Sequence, residues 1–467
     1  MRGILASSIG VACAAALALP LAVPQGARAA APASVTDVAG PVPGSTQSLP
    51  LSPLASDRAA DGAGTQGIAR RDVLPFSLVG VVWDDPEAEL HGRVQVRTRA
   101  TGTTAWSDWQ DVETHNHEHS ADHGTPERTA GRLRGSTAPL WVGDSDGVEI
   151  RVEGEPAAPR LAEGSTDGST DRSTDGSTDR PAGSAAPLPT GLRLELVDPG
   201  DDPPPQGPEA DGPRATALTP ESAASSAVNA ELAPIGAPVI SELTKQQTEA
   251  DLVESRGIVQ ASTARPYIGP RPRIITRKGW GANEKLREKN FVYTKSVRAA
   301  FVHHSASGNN YRCAQSPSVL RSIYRYHVKS SGWRDFGYNF AVDKCGNIYE
   351  GRAGGVAKPV YGAHTLGFNS NSMGIAVLGT YSSSNPPRAA VNAVARLTAW
   401  KLGMYGINPR GKVIMKSGGS NLYKKGKKVR LNVISGHRDG FATECPGGRL
   451  YNKLGKARQS SARYQGR

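Results

Sequence analysis

The chain has 467 residues, 38% of them hydrophobic, and a formal net charge of +12 at pH 7. That length allows two or three domains. After the apolar stretch at the start of the chain, no apolar run in the sequence is long enough to cross a bilayer, which excludes a polytopic membrane protein.

Residues 1–31 have the pattern of a signal peptide. Arg2 precedes an apolar run over 4–23, and residues 27–29 place small side chains at a cleavage site. The run approaches spanning length, so an uncleaved membrane anchor is the alternative, but two prolines at its end favour cleavage. The sequence therefore predicts a protein that is secreted or held at the cell wall, without a membrane segment after cleavage and able to form a disulfide.

The region after the leader divides by composition. Residues 32–72 and 201–270 are rich in Pro, Ala and polar residues, and we predict disordered linkers there. Between them, residues 73–200 contain short alternating apolar runs separated by turn residues, which predicts an all-β, sandwich-like domain. Repeated Ser-Thr-Asp units over 165–180 indicate a low-complexity insert in that domain.

Four histidines lie close together in the predicted β domain: His115, His117, His119 and His123. Alternating histidines on a strand would share one face and could bind a metal. The residues around them are Asn, Glu, Ser and Asp, without a cysteine, which is typical of a polar loop. We therefore predict incidental surface histidines, with adventitious metal binding as the alternative.

The charge is divided unevenly along the chain. Residues 271–467 hold 35 Lys and Arg against 7 Asp and Glu, whereas residues 1–270 hold 20 against 36. A basic domain attracts polyanions, and for an exported protein we expect anionic cell-wall polymers. The lysine-rich run 424–428 has one aromatic neighbour, Tyr423, and lacks the stacking series of a single-strand binder, so we expect no nucleic acid. A solvated basic loop is the alternative.

The basic region has the pattern of an α/β domain, in which strands bring distant residues to one edge of a mixed sheet flanked by helices. The predicted elements are a strand over 299–302 that leads into His303, a helix over 317–327, a hairpin over 338–349, a strand over 373–379, a helix over 391–405, and a strand over 433–436 that leads into His437.

Cysteine and histidine in this region indicate a metal site. Imidazoles and a thiolate are ligands that zinc prefers, and two His with one Cys leave a fourth tetrahedral position for water. Cys445 and His437 lie close in sequence, and the pair His303-His304 lies far upstream. Because the sequence near Cys445 offers no fourth ligand, we predict an open, catalytic type of site.

The cysteine count is consistent with this site. Cys13 lies in the predicted leader, so three cysteines remain. An odd number in an exported protein requires an explanation for the odd one. We predict a disulfide between Cys313 and Cys345, which leaves Cys445 as the metal ligand.

The chain resembles the peptidoglycan recognition protein and type-2 N-acetylmuramoyl-L-alanine amidase family over about residues 273–454, as a secreted, actinobacterial-type member. Six motifs occur in the family's order: FVHHS at 301–305, GWRDFGYNF at 332–340, YEGR at 349–352, GAHTLGFN at 362–369, SMGI at 372–375 and GHRDGFATECPG at 436–447. The resemblance implies that residues 271–467 form a zinc amidase domain. It also implies hydrolysis of the amide between muramic acid and L-alanine in peptidoglycan.

The resemblance also implies roles for particular residues. One Zn²⁺ per chain would be bound by His303, His437 and Cys445. The implied catalytic residues are Tyr338 and Thr443, and the implied substrate-binding residues are His364 and Asn369. His304 follows a ligand on a strand, so we expect it to point to the opposite face and to pack there.

The sequence leaves a second function open. Some members of the family bind muropeptide without cleaving it, and Cys445 favours the enzyme because it completes the metal site. Cytosolic relatives carry a glutamate base on the strand that here contains Ala376, so the resemblance assigns no general base to this chain. We expect peptidoglycan as the partner and a monomer.

Overall fold

The computed structural model describes residues 44–54, 65–155, 187–201, 219–255 and 266–467. The predicted signal peptide and the predicted insert at 165–180 lie outside these residues. These described residues belong to one compact unit. Within the described part of the chain, no helix has the length and apolar character needed to cross a membrane.

The first part of the chain forms one antiparallel sheet of eight strands, in the order β1-β8-β3-β7-β4-β5, with β2 and β6 also paired to β3. Bulky apolar side chains such as Trp83, Val94 and Leu194 form its core. The strands are β1 (Ser45–Pro50), β2 (Ser52–Pro53), β3 (Thr65–Trp83), β4 (Gly92–Ala100), β5 (Gln110–Val112), β6 (Gly135–Ser136), β7 (Leu140–Gly154) and β8 (Arg193–Asp198).

This sheet corrects two expectations. The region is all-β as predicted, but its strands join one hydrogen-bonded sheet, because the long strands β3 and β7 pair with strands on both sides. Residues 45–50 and 65–72 are strands, although the sequence predicts a disordered linker over 32–72. Strand β1 pairs with β8, so the first and last strands of this sheet in chain order are neighbours. A composition argument cannot detect such a distant partner.

The second part contains a mixed sheet of seven strands, in the order β17-β11-β14-β12-β13-β10-β9, and a separate hairpin of β15 and β16. Strand β11 is parallel to both of its neighbours, β14 and β17. The strands are β9 (Val239–Ile240), β10 (Ile274–Ile275), β11 (Ala299–His304), β12 (Phe340–Val342), β13 (Ile348–Glu350), β14 (Ser372–Val377), β15 (Lys412–Lys416), β16 (Lys428–Asn432) and β17 (Ile434–Gly436).

Helices pack around this mixed sheet, as the sequence predicts. They are α1 (Pro220–Ala227), α2 (Lys245–Ser255), α3 (Ser316–Arg325), α4 (Arg388–Gly403), α5 (Gly448–Tyr451) and α6 (Leu454–Gln465), with 3-10 turns at Cys313–Gln315 and His437–Asp439 and a π-helical turn at Tyr326–Ser330. Phe301, Ile375 and Trp400 are among the buried residues of the core.

The predicted linker over 201–270 is partly folded. It contributes α1, the edge strand β9 and α2, and it buries Ile240 and Leu252 against the core of the second region. Asn229 donates a hydrogen bond of 2.9 Å to the buried carboxylate of Glu350. The described part of this stretch is therefore an integral layer of the α/β region, because its few apolar residues lie where the sheet edge can bury them.

A disulfide joins Cys313, next to the start of α3, to Cys345 in the turn between β12 and β13, as the sequence predicts. The Asp343 carboxylate holds that turn by accepting hydrogen bonds from the backbone N–H groups of Cys345 and Asn347. Among the described residues, Cys445 is the one free cysteine, and it is buried.

Candidate metal centre and its covering loop

The parallel strands of the mixed sheet bring two histidines to one edge. His303 lies near the end of β11, and His437 follows β17 directly. Since β11 and β17 are parallel neighbours, their carboxyl ends meet at that edge. The backbone N–H of Arg438 donates to the carbonyl of Cys445 at 3.0 Å, which folds the following turn back so that the thiol joins the histidines. The structure thus brings together the three predicted metal ligands.

A fourth side chain joins them from the first region of the chain. His119, His303, His437 and Cys445 are all buried, and their potential ligand atoms all lie within 4.8 Å of one another. His119 Nε2 is 3.1 Å from His437 Nδ1, and Cys445 Sγ is 3.7 Å from His303 Nδ1. The sequence predicts an open fourth position, whereas the structure places a fourth potential ligand beside the other three, and this group comes from the β region, far upstream of them.

Two of these separations, 3.1 and 3.7 Å, match those of ligand atoms around a tetrahedral zinc ion. With Zn–N bonds of about 2.0–2.1 Å and a Zn–S bond of about 2.3 Å, ligand atoms at tetrahedral angles lie roughly 3.3 Å apart for N and N, and roughly 3.6 Å apart for N and S. The donor set of three imidazoles and one thiol is also of the type that zinc prefers. The residues present therefore fit the ion that the sequence predicts.

Burial controls the protonation of the group. It lowers the pKa of His119, His303 and His437 well below the usual histidine value, so the three rings are neutral, the form that binds a metal. Burial also raises the pKa of the Cys445 thiol well above its usual value. A bound cation favours the thiolate, so metal binding would release the Cys445 proton.

The loop after β13 surrounds the outer side of His303. Thr365 Oγ1 lies 3.4 Å from His303 Nε2 and 3.0 Å from His364 Nδ1. Asn369 Oδ1 accepts hydrogen bonds from the backbone N–H groups of His364 and Thr365 at 2.7 and 3.0 Å. His364 and Asn369, the predicted substrate-binding residues, are therefore next to the metal group. Both are completely buried, with 0% of their surface exposed.

The two predicted catalytic residues also lie beside the group. The ring of Tyr338 is 5.2 Å from that of His303 and 5.9 Å from that of His119, between centroids. Burial raises the pKa of the Tyr338 phenol well above its usual value, so the O–H remains protonated. Thr443 Oγ1 donates at 2.6 Å to the Glu118 carboxylate and accepts a hydrogen bond from the backbone N–H of Cys445 at 3.2 Å.

The remaining histidines have other roles. His304 is buried and accepts a hydrogen bond from the backbone N–H of Tyr381 at Nδ1, in agreement with a packing role. His117 pairs with Glu89 at 3.1 Å, and His123 is exposed. The prediction that all four N-terminal histidines lie on the surface is therefore wrong for His119.

Sequence reasoning missed two residues of the site, His119 and Glu118. The alternating histidines were a signal of metal affinity. The local pattern, however, pointed to a polar loop and contained no cysteine. Nothing in the residues between 113 and 134 indicates that they fold against Cys445. Only the tertiary structure places them there.

Comparison with known proteins assigns the chain to a family. Residues 293–448 match the family model described as N-acetylmuramoyl-L-alanine amidase, and residues 32–179 match the one described as Rv3811 N-terminal galactose-binding domain-like. The chain is 30% identical over 181 residues to peptidoglycan-recognition protein SC2 of Drosophila melanogaster, which covers 39% of this chain and 84% of that protein. The chain belongs to the peptidoglycan recognition protein and type-2 amidase family.

Two further proteins match the same share of this chain, 39%. Human N-acetylmuramoyl-L-alanine amidase is 30% identical over 188 residues, which cover 39% of this chain and 28% of the human protein. The structure of Drosophila PGRP-LB is similar with 28% identity and a TM-score of 0.31, covering 39% of this chain and 91% of that chain. Membership of the family supports amidase activity on peptidoglycan or recognition of peptidoglycan.

Proposed function

We propose that the protein is a secreted, zinc-dependent N-acetylmuramoyl-L-alanine amidase that acts at the cell wall and hydrolyses the amide between muramic acid and L-alanine in peptidoglycan. The observation that carries this proposal is the convergence of His303, His437 and Cys445 at one sheet edge beside Tyr338. Family members that only bind muropeptide lack the cysteine, and this chain retains it.

The proposed roles follow from the geometry. His303, His437 and Cys445 hold the zinc ion, which when bound acts as a Lewis acid and lowers the pKa of water towards about 7. Thr365 Oγ1, at 3.4 Å from His303 Nε2, orients the His303 ring so that Nδ1 faces Cys445. Asn369 Oδ1 accepts hydrogen bonds from the backbone N–H groups of His364 and Thr365, so it holds the backbone that carries this contact.

Tyr338 supplies a hydrogen-bond donor for the charge that develops on the amide oxygen. Because its pKa is raised by burial, the phenol stays protonated at neutral pH and can donate. Thr443 is the second candidate donor, but its hydroxyl now donates to Glu118. Thr443 can therefore act on substrate only when Glu118 has moved away.

The basic surface suits the same location. Four exposed lysines lie on the connection between β15 and β16 and at the first residue of β16: Lys424, Lys425, Lys427 and Lys428. We propose that they attract the monomeric protein to anionic cell-wall polymers, since a clustered positive charge concentrates polyanions at its surface. Weaker retention on purified walls at high salt would agree with this electrostatic attraction.

The test is digestion of purified sacculi with a measurement of newly released amino termini of L-alanine. Release should require zinc, stop with a chelator and disappear in a Cys445→Ala variant, whereas His123→Ala should leave it unchanged. The assay includes His119→Ala, so that the His119 side chain beside the metal group does not hide the activity. Binding to sacculi without release in both wild type and His119→Ala would identify a non-catalytic recognition module and contradict the amidase.

A further inference from the structure

We propose that His119 is the fourth ligand of the metal ion and closes the centre, so that the full-length protein is a latent hydrolase. This inference rests on the proposed zinc amidase. A zinc ion held by four protein side chains is of the structural type, whereas a catalytic centre keeps one position for water or substrate. His119, which comes from the N-terminal region, thereby converts an open centre of the catalytic type into a closed centre of the structural type.

The position of His119 supports a ligand role. Its side chain is buried, and its Nε2 atom lies 3.1 Å from His437 Nδ1, close to the roughly 3.3 Å that two nitrogens on one tetrahedral zinc ion adopt. Its ring centroid is 4.4 Å from that of His437 and 5.2 Å from that of His303. His119 thus occupies the side of the group that Tyr338 also faces.

His119 belongs to a loop over residues 113–134 that connects β5 to β6, which we call the covering loop. Hydrogen bonds hold it to the residues that line the cleft on both sides of His119. Glu118 accepts from Thr443 through its carboxylate at 2.6 Å, and from the backbone N–H of Leu366 through its carbonyl at 2.9 Å. The turn after β17 and the loop after β13 are therefore both tied to Glu118.

The Asp122 carboxylate accepts three hydrogen bonds from the second region of the chain. Its Oδ1 atom accepts from the backbone N–H of Gly367 at 2.7 Å and from Asn369 Nδ2 at 2.8 Å, and its Oδ2 atom accepts from the Tyr361 hydroxyl at 2.6 Å. Asn369 also donates to the carbonyl of Ser120 at 2.9 Å. The side chain of Asn369, a predicted substrate-binding residue, is therefore already fully hydrogen-bonded within the protein.

A buried ion pair anchors the far end of the covering loop. Glu127 binds Arg352 in a bidentate arrangement at 2.8 and 2.9 Å, and the two side chains are only 5% and 4% exposed. The backbone N–H of Arg334 donates to the same carboxylate at 3.2 Å. A bidentate contact of this kind fixes the position of the covering loop, and therefore the position from which His119 reaches the metal group.

Among the described residues, a cavity of about 10 Å³ lies between Tyr338, Thr443, Cys445 and the covering loop. A cavity of this size can hold about one water molecule, and it is far too small for a muropeptide. A muropeptide can enter only after the covering loop has moved. Most of the named contacts are hydrogen bonds and ion pairs, and a long connection of this kind can move while β5 and β6 keep their places in the sheet.

The test measures access to the metal itself and uses the full chain. Wild type, His119→Ala, and His123→Ala as the control on the same loop are loaded with Co²⁺, and acetohydroxamate is added while the visible spectrum is recorded. We expect no spectral change for wild type and His123→Ala, because a closed centre has no position for the added ligand. The spectrum of His119→Ala should change.

Two further measurements accompany the spectra. Release of zinc to a chelator should be about tenfold faster or more in His119→Ala, since loss of even an outer partner of a ligand weakens metal binding about 10–100-fold. Digestion of sacculi should rise at least about tenfold, because removal of the closed state raises the competent fraction. A gain in activity cannot arise from misfolding.

The outcomes separate this inference from the proposed function. If acetohydroxamate changes the wild-type spectrum as it changes that of His119→Ala, His119 only forms a hydrogen bond to His437, and closure is wrong while the amidase stands. If none of the proteins binds one equivalent of metal, the proposed function fails. Should His119→Ala not fold by circular dichroism, Asp122→Ala decides, since release of the covering loop must then speed zinc loss. Unchanged zinc loss would overturn the proposal.

Discussion

The four side chains of the metal group come from two regions that are held in different ways. His303 lies near the end of the interior strand β11, and His437 directly follows the edge strand β17, which pairs with β11. His119 lies in the covering loop, every residue of which the structure describes and to which it assigns neither helix nor strand. Paired strands open only with much of the domain, whereas a loop can open locally, at a cost below the free energy of global unfolding. The difference separates a permanent set of ligands from a replaceable one.

The same two regions differ in charge. The acidic first part of the chain contributes the carboxylates of Glu118, Asp122 and Glu127, and the basic second part contributes Arg352 and several N–H donors. Part of the positive charge that the sequence offers to an external polyanion is therefore used inside the molecule. An anionic wall polymer and the three carboxylates of the covering loop would both be attracted to this basic region.

The largest expected effect comes from removal of a permanent ligand. In Cys445→Ala we expect most of the bound zinc and all measurable hydrolysis to be lost, because the thiolate is the one anionic ligand of the group. Metal analysis of the purified variant checks this result against His123→Ala, which should retain one zinc ion per chain. Full zinc in Cys445→Ala would sink the assignment of the centre.

Tyr338→Phe tests the site without disturbing its metal. The ring keeps its packing against His303, so folding and zinc content should match wild type. Turnover should fall by about 10²–10³, the typical loss for one oxyanion donor. Kinetics are measured in the His119→Ala background, with His119→Ala alone as control. Near-normal turnover would leave Tyr338 with a packing role and make Thr443 the better candidate.

Glu127→Gln tests the anchor of the covering loop. The change leaves the buried Arg352 guanidinium without its charged partner, which costs about 3–5 kcal/mol for a buried ion pair. Denaturant unfolding measures that loss, and hydrogen exchange should show faster exchange over 113–134 than in wild type. Glu242→Gln, at an exposed position outside the covering loop, is the control. Unchanged exchange in the covering loop would show that this ion pair does not hold it.

The smallest effect is expected from the disulfide, which constrains a different part of the α/β region. Removing Cys313 and Cys345, which are 32 residues apart, should cost about 3–4 kcal/mol by the chain-entropy estimate. Zinc content should stay the same, because neither cysteine belongs to the metal group. Non-reducing peptide mapping gives an independent check. A bridge from Cys445 to either cysteine would contradict both the pairing and the metal centre.

The sequence alone determined the α/β region and three of the four side chains of the metal group. Apolar runs that end in His303 and His437 predict strands whose ends meet, and the motifs around Tyr338, His364 and Cys445 are local enough to be read directly. The odd cysteine count likewise indicated the Cys313–Cys345 pair. These features depend on short-range patterns or on counting, so they do not require knowledge of how distant segments pack.

Only the tertiary structure decided the fourth member of the metal group and the state of the cleft. The covering loop has no apolar periodicity, and its partners Leu366, Asn369 and Arg352 all lie in the other region of the chain. Strand β1, which pairs with a strand at the opposite end of the β region, was missed for the same reason. Hydrogen bonds and ion pairs between distant polar residues leave no periodic trace in a sequence, because either partner alone has the composition of a solvated loop.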